Sequence, residues 1–246
     1  MTRGVARLNF ETRGVFAEEA VLFLHGWGGS VESFRAVIDL LPRNTFIINL
    51  DFSGFGKSAE PSKSYCVEDY ARDVKGLIDF LLVKSVSVVC HSFGGRVAIK
   101  MINLFPNLVT KVVFVDSAGI KPRKTLRQKF SIIKFKVSKF FVKKGFVSKT
   151  VLDKYGSDDY KSLTPIMKET FVRVVNEDLS LELANINIPT LIVWGEKDLD
   201  TPLYMAHKFN KKIAGSELVV YKDSGHFSYL DNLDDFVYIL YKFLMK

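Results

Sequence analysis

Short apolar runs recur along the chain. Each ends in a polar or glycine-containing segment, and stretches with helical spacing lie between them. Val21-Leu22-Phe23-Leu24 is the first such run, ending at His25-Gly26, and residues 33–41 read as the helix after it. Residues 46–50 form the next run, ending at Asp51. Residues 67–82 place Val74, Leu77, Ile78 and Leu81 at helical spacing. Residues 86–89 then read as a strand, 94–105 as a helix and 112–115 as a strand. Residues 190–194 and 218–221 are later strands, and 236–245 is a closing helix. Runs this short and this uniformly apolar suit strands buried on both faces, with helices covering both sides. Right-handed crossovers between them predict an α/β fold with a doubly wound, mostly parallel sheet.

The alternation breaks once. From about residue 120 to residue 188 there is no clear core strand, and the pattern is helical until Pro189. The expected organisation is a core of residues 1–117 and 189–246 with residues 118–188 inserted as a helical unit. A chain of 246 residues is long enough for one sizeable core and an insertion. Its composition, 48% hydrophobic, excludes a disordered chain. Cys66 and Cys90 form neither a disulfide framework nor a metal-binding spacing, so no metal is expected. The segment that begins at Met1 has no apolar signal core, and no run approaches the roughly 18 apolar residues of a membrane span. A cytoplasmic protein without a transmembrane segment is the expectation.

The net charge of +8 is unevenly spread. Residues 118–155 hold 12 Lys and Arg against one acid, Asp153, whereas the rest of the chain has 23 basic and 26 acidic residues. Any argument from charge therefore concerns the insertion. Within residues 132–144, Ile133, Val137, Phe140 and Phe141 share one helical face, with Lys136, Lys139 and Lys143 in a stripe beside it. No nucleic-acid recognition motif accompanies this charge, so nucleic acid is not an expected partner.

The chemistry-bearing segment is Val88-Val89-Cys90-His91-Ser92-Phe93-Gly94-Gly95, between a predicted strand and a predicted helix. A serine with small residues two before and two after fits a tight strand-to-helix turn. That turn puts the hydroxyl at the C-terminal edge of the sheet, beside a helix N-terminus that favours negative charge. A serine hydroxyl is a poor nucleophile at neutral pH and needs a base, which in turn needs an orienting group.

Four separated motifs now stand in one order: His25-Gly26-Trp27-Gly28, the loop Asp51-Phe52-Ser53-Gly54-Phe55-Gly56-Lys57-Ser58, the Ser92 elbow, and the pair Asp198 and His226. In these, and over nearly the whole chain from about Ala20, the sequence resembles the α/β-hydrolase family. Cys90 stands where the family pattern has glycine. The resemblance implies Ser92 as nucleophile, His226 as base and Asp198, in Gly195-Glu196-Lys197-Asp198, as orienting acid. Asp116 is the reserve candidate for the acid, and Asp200 is expected to cap a helix starting near Pro202. His25 is implied to be structural, as are Asp51 and Ser58. His91 is expected to point away from the site, and His207 to lie on a surface helix. The main-chain N–H groups of Trp27 and Phe93 are implied as the oxyanion hole, with their side chains free to line the acyl pocket.

The family's insertion at this point is a helical lid, placed after the sixth strand, here the 112–115 run. It is implied to cover the pocket and to add Phe140 and Phe141 to the substrate contacts. The function implied is ester hydrolysis through an acyl-enzyme, on a small-molecule ester and without a cofactor. Two alternatives keep the fold: a lyase or C–C hydrolase with the same three residues acting on an anionic substrate, and a slow-turnover ligand receptor. Ser92 argues against the relatives that use an aspartate nucleophile. The basic lid raises an acidic partner, either an acyl carrier protein or an anionic lipid surface, beside the simpler reading of a solvated charged face.

Overall fold

The computed structural model describes residues 8–121, 160 and 162–245. Among them are strands β1 (Phe10–Arg13), β2 (Glu19–Leu24), β3 (Ile47–Leu50), β4 (Ser85–His91), β5 (Val109–Val115), β6 (Thr190–Gly195) and β7 (Glu217–Tyr221). The helices are α1 (Arg35–Leu40), α2 (Val67–Phe80), α3 (Phe93–Leu104), α4 (Pro165–Asn176), α5 (Tyr204–Lys212), α6 (Ser228–Asp231) and α7 (Leu233–Met245). The strands form one sheet in the order β1-β3-β2-β4-β5-β6-β7, parallel except for the antiparallel edge strand β1.

Each apolar run divides its side chains between two cores, because successive residues of a strand face opposite sides. In β5, Val112 and Phe114 join the core under α2, α3 and α5, while Val113 and Val115 join the core under α1 and α7. β6 repeats this, with Ile192 and Trp194 on the first side and Leu191 and Val193 on the second. The sheet is thus doubly wound, as the uniform apolarity of its strands predicts.

The structure differs from the sequence pattern at two points. β1 has no apolar run to reveal it: its four residues are half-buried or exposed, and it is held by pairing Phe10 with Leu50 and Arg13 with Ile47. β1 included, the 118–188 segment follows the fifth strand of the chain, not the sixth. Leu179, Leu183 and Ile186, near the end of that segment, are buried in the core shared with α3. The basic run beyond Lys121, the 132–144 helix and the expected contacts Phe140 and Phe141 lie outside the described residues.

Two features of this topology place the site. β2 lies between β3 and β4: the chain passes from β2 to β3 on one side and then crosses back to β4 on the other, so the strand order reverses at β2. In an open parallel sheet, the crevice for ligands forms at the C-terminal ends of strands around such a reversal. β2 ends at Leu24, just before His25-Gly26-Trp27, and its neighbour β4 ends just before Ser92. The second feature is α4. Thr164 and Pro165 start it, the Thr164 hydroxyl accepting from Met167 N–H at 3.2 Å. The helix is pinned over the 52–65 loop: Tyr65 N–H donates to Thr170 Oγ1 at 3.0 Å, and Arg173 donates to the Ser64 carbonyl at 2.7 Å. That docking turns Phe171 and Val174 toward the crevice.

Candidate active site

Ser92 joins β4 to α3 with φ 48° and ψ −111°, a strained conformation for a residue with a Cβ. The surrounding backbone holds it there. Ser92 N–H donates to the Val115 carbonyl at 3.1 Å, and the Ser92 carbonyl accepts from Gly95 N–H at 3.0 Å and Ala118 N–H at 2.9 Å. The need for small neighbours is steric. A Cβ on Gly94 would stand 2.2 Å from the Leu24 carbonyl oxygen, and one on Gly95 would stand 2.5 Å from Ser117 Oγ. Cys90, at the position where the family has glycine, fits fully buried and donates its thiol to the Val113 carbonyl at 3.3 Å. Gly94→Ala meets backbone rather than a mobile side chain, and is expected to lower stability by at least about 2 kcal/mol. Urea unfolding checks this; an unchanged midpoint would contradict the packing.

The hydroxyl of Ser92 lies 3.0 Å from His226 Nε2, and His226 Nδ1 lies 2.8 Å from Asp198 Oδ2. Three residues far apart in sequence therefore form one hydrogen-bonded chain. Asp198 lies in the loop after β6, where its Oδ1 accepts from Asp200 N–H at 2.8 Å and Thr201 N–H at 2.9 Å. Thr201 Oγ1 lies 2.6 Å from Asp198 Oδ2 and 3.0 Å from the Asp116 carbonyl, so its single hydrogen serves one of the two at a time. Sequence reasoning missed Thr201, which holds the carboxylate from both its backbone and its side chain. Asp200 does not cap a helix: α5 starts at Tyr204, and its cap residue, Leu203, offers no side-chain bond.

Asp116, the reserve acid, is fully buried and its carboxylate is turned elsewhere. It accepts from Gly195 N–H at 2.8 Å, and from Ser228 N–H at 3.1 Å and Ser228 Oγ at 2.6 Å. These bonds tie the end of β5 to the end of β6 and to the start of α6, just beyond His226. Burial raises the Asp116 pKa to about 7, against the lowering by those donors. Asp198 differs. Burial pushes it up, but His226 and Thr201 more than offset that and hold it below the ordinary carboxylate value.

The other histidines separate cleanly. His25 is buried; its Nε2 accepts from Phe52 N–H at 3.0 Å, so Nδ1 carries the hydrogen toward the Gly26 carbonyl at 2.7 Å. Burial takes its pKa down to about 4. It joins the His25-Gly26 turn to the Asp51 loop, whose carboxylate accepts from Val31 N–H, Lys57 N–H and Asn9 Nδ2. His91 is buried and does not line the crevice, but it is not idle. Its Nε2 lies 2.7 Å from the His226 carbonyl and its ring packs on the His226 ring at 4.7 Å, so it buttresses the loop that carries His226. Burial lowers its pKa to about 3, which keeps it neutral and able to donate. His207 is exposed on α5.

Beside Ser92 and His226 is a cavity of about 500 Å³. Trp27 and Phe93 line it, and their rings meet edge to face at 5.3 Å. Phe171, Val174 and Met205 add apolar wall. Phe93 is the first residue of α3, so helix geometry leaves its N–H without an i−4 partner. The turn at 26–29 is closed by Gly29 N–H donating to the Gly26 carbonyl at 3.0 Å, which leaves the Trp27 N–H outside that bond. Asp198, Asp200 and His226 offer ligand atoms within 4.8 Å of one another. Asp198 and His226 are already bonded to each other, which suits an acid–base pair. Among the described residues, no helix is long and apolar enough to cross a membrane.

Comparison with known proteins agrees with this architecture. A family model described as alpha/beta hydrolase fold matches residues 19–154 and 167–233. The AB hydrolase superfamily protein YisY of Bacillus subtilis is 27% identical over 225 residues, 84% of each chain. Among solved structures, an esterase from Exiguobacterium antarcticum superposes with a TM-score of 0.78 at 24% identity, covering 98% of both chains. A meta-cleavage product hydrolase from Pseudomonas fluorescens superposes at 0.72 with 18% identity, over 98% of this chain and 96% of that one. At such identities the structural likeness establishes the fold alone. The match of the family model over most of the chain establishes more: this protein belongs to the alpha/beta hydrolase fold family and is a hydrolase of that superfamily.

Proposed function

We propose that the protein is a serine hydrolase that cleaves carboxylic esters through an acyl-enzyme on Ser92. The observation that carries this reading is the continuous chain Ser92 Oγ–His226 Nε2 and His226 Nδ1–Asp198 Oδ2, at 3.0 and 2.8 Å, opening on a largely apolar cavity. His226 takes the Ser92 proton as Oγ attacks the ester carbonyl. Negative charge develops on the carbonyl oxygen, where the Trp27 and Phe93 N–H groups would receive it; each such donor is worth about 3–4 kcal/mol in the barrier. The imidazolium returns its proton to the departing alkoxide. A water deprotonated by His226 then attacks the acyl group, and Ser92 leaves with the proton back on its oxygen. Asp198 orients the imidazole throughout. The chemistry requires no metal or organic cofactor.

Phe171 and Val174 come from the 118–188 segment and wall the cavity, which supports reading that segment as a cap. The test combines a fluorophosphonate probe with p-nitrophenyl esters of short and long chains. Labelling of Ser92 together with many turnovers per enzyme is the expected result. Labelling without ester turnover would move the reading to a C–C hydrolase, a lyase or a ligand receptor of the same fold. No labelling of the folded protein would remove the serine mechanism.

The pH dependence follows from the geometry. Burial draws the His226 pKa down, but the hydrogen bond and charge of Asp198, with the charges of Asp200 and Asp116, outweigh it and hold it above the ordinary 6.5. Only the neutral imidazole accepts the Ser92 proton. Activity is therefore expected to fall as pH drops through an apparent pKa above 6.5, read from the acid limb of kcat/KM. A limb centred well below 6.5 would contradict the Asp198–His226 pairing.

A further inference from the structure

Arg96 is a cation that the proposed ester chemistry does not use. It lies on α3, four residues past Ser92, so its Cα is about 6 Å further along the helix axis. It is only 5% exposed, yet it lines the same cavity as Ser92 and His226. Its Nη1 donates to the Glu177 carbonyl at 2.6 Å, its one hydrogen bond among the described residues. The neighbouring carboxylates are engaged elsewhere. Glu177 pairs with Lys100 at 3.0 Å, and Asp178 Oδ1 accepts from Ser180 N–H and Lys121 N–H. Burial lowers the Arg96 pKa to about 10, so the group remains a cation at neutral pH.

A buried charge with no carboxylate in hydrogen-bond contact is costly, and the tether to the Glu177 carbonyl occupies one of five N–H groups. A neutral donor would serve that tether as well. A guanidinium offers in addition a planar fork matched to a carboxylate. Ile120, Val174 and Met205 line the same cavity and make its wall apolar, a setting in which a charge-assisted bond is strong. Among the described residues, the cavity has one acid at its rim, the exposed Asp200. Its field falls on His226, whereas the acids whose charges bear on Arg96 are Glu177 and Asp178.

We propose that Arg96 is a carboxylate-recognition residue, and that the substrate is an ester carrying a free carboxylate, such as a half-ester of a dicarboxylic acid. The scissile bond rests on the esterase reading above; the anion site does not. Two measurements separate them. The first compares kcat/KM for monomethyl glutarate and monomethyl adipate with that for uncharged methyl esters of similar length, by methanol release. The half-esters are expected to be preferred about tenfold or more, and Arg96→Gln to collapse that ratio. The second is calorimetric binding of glutarate to Ser92→Ala protein, which needs no turnover. Binding is expected, weakened about tenfold or more when Arg96→Gln is added.

Hydrolysis of neutral esters with no charge preference and no glutarate binding would overturn the proposal and leave the esterase reading standing. Arg96-dependent glutarate binding with no ester hydrolysed would do the reverse. If Arg96→Gln does not fold, the wild-type ratio and Arg96→Lys decide. A preference kept in part by lysine supports the site, and no preference in the wild type overturns it.

Discussion

Replacing Ser92 by alanine is expected to leave a folded protein whose ester turnover has fallen by roughly 10⁶-fold. The fold should survive because what holds residue 92 is main chain: its N–H bonds to Val115 and its carbonyl is bonded by Gly95 and Ala118. Alanine keeps the Cβ and therefore the same backbone strain. What is lost is the oxygen that lies 3.0 Å from His226 Nε2. The same variant should take no fluorophosphonate label. The check is kcat for a p-nitrophenyl ester beside a thermal melt, with the melt unchanged. A variant that keeps more than about a hundredth of the activity would mean that another group attacks the ester.

The second large effect is expected for Asp198→Asn, a fall in kcat of about 10³–10⁴-fold with the fold intact. The loss comes from a change of imidazole tautomer. Asp198 Oδ1 takes two backbone N–H donors, from Asp200 and Thr201, so an asparagine would keep its oxygen there. Its amide NH₂ would then face His226 Nδ1, which must become an acceptor. The imidazole hydrogen would move to Nε2, where it points at Ser92 and can no longer accept a proton from it. Asp116→Asn is the control. All three donors on that carboxylate belong to Gly195 and Ser228, so the expected loss is in stability, about 1–3 kcal/mol by urea unfolding, with a smaller fall in kcat. If Asp116→Asn gave the larger fall in kcat, the orienting acid would be Asp116.

The sheet was legible because strands buried on both faces carry mostly apolar residues in succession, and β2, β4, β5 and β6 write that pattern directly into the chain. β1 was not, because it is an edge strand with exposed side chains, and its only mark is its pairing with β3. The residues of the Ser92–His226–Asp198 chain sit in loops just after strand ends, within short motifs, so each could be named from its local sequence. The residues that steady them could not. Thr201 meets Asp198 through a turn geometry no spacing encodes, and Ser228 meets Asp116 across 112 positions of chain. His91 was read only as a neighbour of Ser92, although its ring secures the His226 loop.

The cavity wall divides in the same way. Trp27 and Phe93 flank motif residues and were named for that reason, and both line the cavity. Phe171 and Val174 depend on how α4 docks over the 52–65 loop, which is a tertiary fact. Arg96 did leave a trace: it is a charge beside Val97, Ala98 and Ile99 in a helix whose first half is buried. Helical periodicity alone reads such a charge as the solvent face, and burial overturns that reading.

The central claim is that Ser92 carries the acyl group during turnover. Asp198→Asn protein, slowed in both steps, is mixed with a p-nitrophenyl ester, quenched in acid within the first turnovers and digested with trypsin, which releases the peptide from Ser85 to Arg96. The account predicts that this peptide gains the mass of the acyl group, with fragmentation placing it on Ser92. Turnover with that peptide unmodified, or with the acyl group on another residue, would contradict it.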